Sequence, residues 1–131
     1  MESVAPGILV LIRVVLGVLL LAHGLVHLLF LAPDVEVFSL ERSWLVPAPI
    51  RTPVAYTLLG STIVAFVLLA LAVWGIPGLS AAWPVVAIIA ATLSTILLVA
   101  VWNWQLALGL VINAAVVAAA VARLNGAAFI S

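Results

Sequence analysis

Between Arg51 and Arg123 the chain carries not one Asp, Glu, Lys or Arg. No water-soluble fold can coat itself with so little charge, since an ordinary globular domain draws about a quarter of its residues from these four types. Over all 131 residues only 6% are charged, and the mean hydropathy is +1.53. That balance excludes a cytosolic enzyme, a nucleic-acid-binding domain and a disordered segment, and it implies an integral membrane protein. The formal net charge is zero, so nothing draws the chain electrostatically to nucleic acid. All four cations are arginines and they are dispersed, so no polybasic cluster addresses anionic head groups. With no cysteine present, disulfides, thiol relays, thiolate metal sites and iron–sulfur clusters are excluded as well.

The apolar stretches have the length of membrane spans. A spanning helix needs about 20 mainly apolar residues rising about 1.5 Å each. Four segments qualify, at 7–32, 54–74, 81–101 and 106–122. The expected fold is therefore all-α: an integral membrane four-helix bundle forming a single domain over 1–131. Pro33 ends the first span, and Gly75, Pro77 and Gly78 follow the second. Pro84 falls in the first turn of the third, where a missing N–H is tolerated. Read as one helix, the third and fourth segments would measure roughly 63 Å, far beyond a bilayer core. The break is expected at Trp102-Asn103-Trp104-Gln105, the clearest polar interruption, and a tight turn there makes the two helices antiparallel neighbours. Glu2 stands where a signal peptide has positive charge, and the apolar run after it is too long, so the first segment reads as a permanent span. Trp74 and Trp83 flank one short connection and Trp102 and Trp104 mark the other, a pattern that suits aromatic belts at head-group level.

One longer loop, 33–52, mixes Asp34, Glu36, Glu41, Arg42 and Arg51 with apolar side chains such as Phe38 and Trp44. It is expected to lie on the membrane surface, with a short helix near Ser39 to Leu45 and an extended run through Pro47, Pro49 and Pro53. It could serve as a lid over the bundle or as a plain connector. Arg13 and Arg123 on the side of the termini balance Arg42 and Arg51 in the loop; because the first pair lies closer to span ends, both termini are expected in the cytoplasm. The expected location is a bacterial inner membrane, and the Lys-free, Ala/Val/Leu/Arg-rich composition suggests a GC-rich genome.

The first span holds most of the polar chemistry. At about 100° per residue Arg13, Gly17, Leu20, Gly24 and His27 fall on one stripe, with His23 at its edge. Polar side chains in a span turn away from lipid, and glycines let a second helix approach closely, so this face should look into the bundle. Arg13 sits at the expected membrane boundary, where it can snorkel to the head groups or hold an anionic or carbonyl-bearing group at the bundle mouth. His23 and His27 are spaced i,i+4 and project from one side, with His23 about 15 Å from Arg13 along the axis. They can hydrogen-bond to a neighbouring helix or contact a small lipophile such as a quinone. They can also supply half of a metal site, completed by a loop carboxylate: Asp34, Glu36 or Glu41. Bis-histidine haem is disfavoured, because both histidines lie on one helix and these are the only two. Asn113 is the second candidate for the interior, since a mid-span amide must find partners. Thr62, Ser94 and Thr95 sit among small residues and read first as packing faces. No carboxylate lies in any span, which argues against a small multidrug-type antiporter, whose proton coupling relies on a glutamate in the first helix. No Ser–His–Asp or paired-carboxylate arrangement can be assembled.

Leu11-Ile12-Arg13, Gly17 and the pair His23-Gly24 resemble the first-helix pattern of DoxX-like membrane proteins, with His27 where that family usually has a lysine. The resemblance implies a four-helix membrane bundle. It also implies, by analogy, a role of the kind linked to family members: thiosulfate–quinone oxidoreduction, redox-stress complexes or receptor assembly. The expected function is a DoxX-like membrane subunit that binds a lipophilic small molecule, a quinone foremost, or a partner membrane protein. Arg13, His23, His27 and Asn113 would line its site. Two alternatives stay open. One is a quinone-coupled or metal-dependent oxidoreductase subunit using His23, His27 and Glu41. The other is a ligand-free assembly protein whose histidines only lock helices together. The residues do not fix a cofactor. A homodimer or larger assembly is expected, because the small-residue faces exceed what four helices pair internally.

Overall fold

The computed structural model describes residues 5–31 and 43–126. Its order is α1 (Pro6–Val26), running on as a 3-10 turn over His27–Leu31, then α2 (Ala48–Val73), α3 (Trp83–Ala100) and α4 (Ala107–Leu124). Short 3-10 turns at Ser80–Ala82 and Trp104–Leu106 lead into α3 and α4. The fold is all-α, no strand occurs among the described residues, and all four helices are long and apolar enough to cross a membrane.

Local sequence explains the starts and stops. Proline occupies the first turn of α1, α2 and α3, where its absent N–H has no helical acceptor to lose. The α2 helix ends in a Schellman motif. Gly75 takes φ +92, its N–H reaches Ala72 O, and the N–H of Ile76 reaches Leu71 O. Between α3 and α4, Asn103 is extended and its Oδ1 accepts the Gln105 N–H at 3.0 Å, so the break falls at the expected polar interruption.

Two expectations for the loop are corrected. Helix α2 begins at Ala48, six residues before the expected start at 54, and the extended run through Pro47, Pro49 and Pro53 is absent. Pro47 is the N-cap and Pro49 lies in the first turn, both compatible with helical φ. Only Pro53 removes a hydrogen bond, and it does so in an exposed end turn. Arg51 steadies that turn by donating from Nε and Nη2 to Val46 O at 3.1 and 3.0 Å. Ser43 is irregular and Trp44–Val46 form a bend, so neither is part of a helix. The Ser43 hydroxyl accepts the N–H groups of Leu45 and Val46, and this local bonding competes with helix formation. The remainder of that expected helix, Ser39 to Arg42, lies outside the described residues, as do Asp34, Glu36 and Glu41.

The helices pack in chain order: α1 on α2, α2 on α3, α3 on α4. The middle pair, α2 and α3, buries the largest share of its residues, and α1 and α4 the smallest. Small residues set the spacing. Ala87, Ala90 and Ala91 on α3 are fully buried, and Phe66 and Leu69 of α2 fill the core. Gly17 lies under the indole of Trp74, so that any Cβ there would overlap the ring, and Trp74 Nε1 donates to Val14 O at 3.2 Å. A Cβ on Gly24 would lie 2.5 Å from Phe66 Cβ. The glycine face of α1 is thus its contact with α2, and its Leu and Val side chains stay exposed toward the lipid. Trp44, Trp74 and Trp104 are exposed, as an interfacial belt requires, but Trp83 departs from that expectation. It is buried at the start of α3 and packs in the core with Val73 and Ala87.

Candidate functional site

Helices α1 and α4 flank the row, and they are not packed together as successive helices are. Between them runs a groove of about 910 Å³. Its walls are Leu, Ile, Val and Ala from α1 and α4, its floor comes from α2 and α3, and no Asp, Glu, Lys or Arg lines it. His23 and His27 are its two ring-nitrogen-bearing imidazoles, and both are buried.

The site begins with a change of helix type. At His27 the backbone N–H turns to Gly24 O in 3-10 fashion, which leaves His23 O without its α-helical donor. The His27 side chain fills that gap, with Nδ1 2.9 Å from His23 O and 3.2 Å from Gly24 O. A carbonyl can only accept, so Nδ1 carries the proton. In the neutral ring Nε2 is then an acceptor, and it lies 2.9 Å from Ser94 Oγ on α3. The Ser94 hydroxyl must therefore donate to it. Ser94 Oγ in turn accepts from Asn113 Nδ2 on α4 at 2.9 Å, and the second amide proton reaches Thr95 Oγ1 at 3.2 Å. This orients the amide, so Asn113 Oδ1 faces His23 Nε2 at 3.0 Å and His23 donates. One chain of hydrogen bonds thus runs from His23 through Asn113, Ser94 and His27 back to the α1 backbone. Its direction fixes both tautomers: Nε2–H on His23 and Nδ1–H on His27. The hydrogen bonds are met by two neutral imidazoles, the form that a bilayer interior favours.

Phe66 of α2 supports the pair. His23 meets it edge-on, with ring centroids 4.8 Å apart, and His27 stacks on it at 6.1 Å. The two imidazoles stand edge to face at 5.4 Å. All four helices therefore contribute to one polar knot in an otherwise apolar interior.

The structure brings together three of the four expected site residues. Arg13 stands apart: its Nη1 lies 3.8 Å from where a Cβ on Gly75 would be, at the α2–α3 turn. The ten residues separating it from His23 correspond to about 15 Å of helix. As for a metal, both histidine Nε2 atoms are already engaged, and the described residues gather no group of three His, Asp or Glu able to hold one. Sequence reasoning missed Phe66 as the platform and took Ser94 and Thr95 for packing residues. Trp83 and Gln105 also line the groove, and the Trp83 indole Nε1 is itself buried, with no hydrogen-bond partner among the described residues. Comparison of the chain with protein-family models, with curated proteins and with solved structures finds no match.

Proposed function

We propose that this chain is a membrane subunit that binds a neutral lipophilic small molecule in the groove between α1 and α4, with His23 at the groove's polar point. The observation that carries the reading is the pairing of an uncharged apolar groove of ligand size with a histidine held in a fixed orientation at its base. Its volume of about 910 Å³ falls within the range of small-molecule sites. A quinone-type head on an isoprenoid tail suits these dimensions, and such a role accords with the DoxX-like pattern of the first span and with a bacterial inner membrane. The test is native mass spectrometry of the detergent-purified protein beside His23→Phe. A lipophile that accompanies the wild type and is lost from the variant supports the proposal. A wild type that carries none, and takes up none from added lipid extract, overturns it. A second reading, a ligand-free assembly protein, draws on the completeness of the hydrogen-bond chain, because a knot satisfied at every link can serve to lock helices alone.

A further inference from the structure

The orientation of the hydrogen-bond chain has a consequence for the kind of head group the groove selects. His23 spends its one ring proton on Asn113 Oδ1. Its Nδ1 is left as a lone pair that takes no hydrogen bond from any described residue, and the remaining exposed part of His23 lines the groove. Reversing the ring's polarity would require reversing every bond back to His27. There the chain is anchored on backbone carbonyls, which cannot donate. At His23 the groove therefore presents a hydrogen-bond acceptor, fixed by the fold; apart from the histidines the lining is apolar except for Gln105 and the Trp83 indole, and none of it is charged.

We infer that the ligand is a neutral lipophile whose head carries a hydroxyl, a phenol or quinol type, which donates its O–H to His23 Nδ1. A carbonyl or ether head would set lone pair against lone pair. Of a quinone and its reduced partner, the groove prefers the reduced one. An anionic head is disfavoured for the same reason and by the lack of any cation in the lining. This inference rests on the lipophile reading above and adds the polarity of the contact.

The experiment uses three probes of similar shape with the protein in detergent micelles: 4-decylphenol, 4-decylanisole and 2-decyl-1,4-benzoquinone, titrated calorimetrically. The phenol is expected to bind about tenfold more tightly than either acceptor-only probe, the scale of one neutral hydrogen bond gained. In His23→Phe the three affinities should converge. Because that variant also cuts the link to Asn113, a measurement on the unaltered protein stands beside it. Long-range proton–nitrogen NMR should show His23 protonated at Nε2 and His27 at Nδ1, with the phenol shifting the His23 Nδ1 resonance and the anisole leaving it in place. Equal binding of the three probes, tighter binding of the quinone, or a proton on His23 Nδ1 overturns the inference while leaving a lipophile site standing. Binding of none of them removes the lipophile reading itself.

Discussion

Replacing Asn113 with leucine, which is nearly isosteric, tests whether the polar knot holds the bundle together. Asn113 is 2% exposed and makes three hydrogen bonds: it accepts from His23 and donates to Ser94 and Thr95. Interhelical hydrogen bonds in membrane proteins average about 0.6 kcal/mol each by double-mutant cycles, so three amount to about 2 kcal/mol. The substitution also strands the buried His23 N–H, a loss of about 1 kcal/mol or more. Asn113→Leu should therefore destabilise by about 2–3 kcal/mol, read from reversible unfolding in mixed micelles followed by circular dichroism. The stranded donor can be separated from the rest. In the double variant His23→Phe/Asn113→Leu no donor is left, so the combined loss should fall short of the sum of the single losses by about 1 kcal/mol. A single variant within about 0.5 kcal/mol of wild type, or a double variant that is simply additive, would refute the assignment of these hydrogen bonds as the cross-bundle lock.

Four other outcomes follow from the same geometry. Gly24→Ala should cost about 2 kcal/mol in the same unfolding assay despite alanine's better helix propensity, because the new Cβ meets Phe66 Cβ at 2.5 Å. Gly60→Ala is the control, with open space around the site; it should be neutral or stabilising by up to about 1 kcal/mol. Ser94→Ala leaves His27 Nε2 without its donor; NMR should show the His27 imidazole altered, together with a loss of about 1–2 kcal/mol. Trp74→Phe deletes the indole donor to Val14 O while keeping a ring over Gly17, and should cost about 1 kcal/mol at the α1–α2 contact.

Much of this was written plainly in the chain, and the reasons differ by residue. The four spans and the break at Asn103 were legible because length and hydropathy alone decide them in a bilayer. The inner face of α1 was legible because Gly17, His23, Gly24 and His27 repeat at helical spacing, and the structure buries all four. Ser94 was harder, since a serine in an alanine-rich span suits packing and hydrogen bonding equally. One clue was available. Ser94 lies six residues before the end of α3 and Asn113 six after the start of α4, so an antiparallel hairpin sets them at equal depth. The early start of α2 was not legible, because three prolines in seven residues signal an extended chain until Pro47 is known to cap the helix, Pro49 to lie in its first turn and Pro53 to lie inside it. The groove was not legible either. It is a space left where α1 and α4 fail to close, and no residue encodes it alone.

The packing of each helix on its predecessor also bears on how the molecule is made. Every major interface joins segments that are adjacent in sequence, so each can form as soon as the later one leaves the ribosome and enters the bilayer. Before α4 is in place, few of the described side-chain links skip a helix, the His27–Ser94 bond between α1's end and α3 among them. Only with α4 does Asn113, ninety residues after His23, close the ring of contacts. The His23–Asn113 bond marks the arrival of α4 in the bundle, and a chain truncated before α4 would leave the His23 donor unmet inside the membrane, a signal on which quality-control machinery could act.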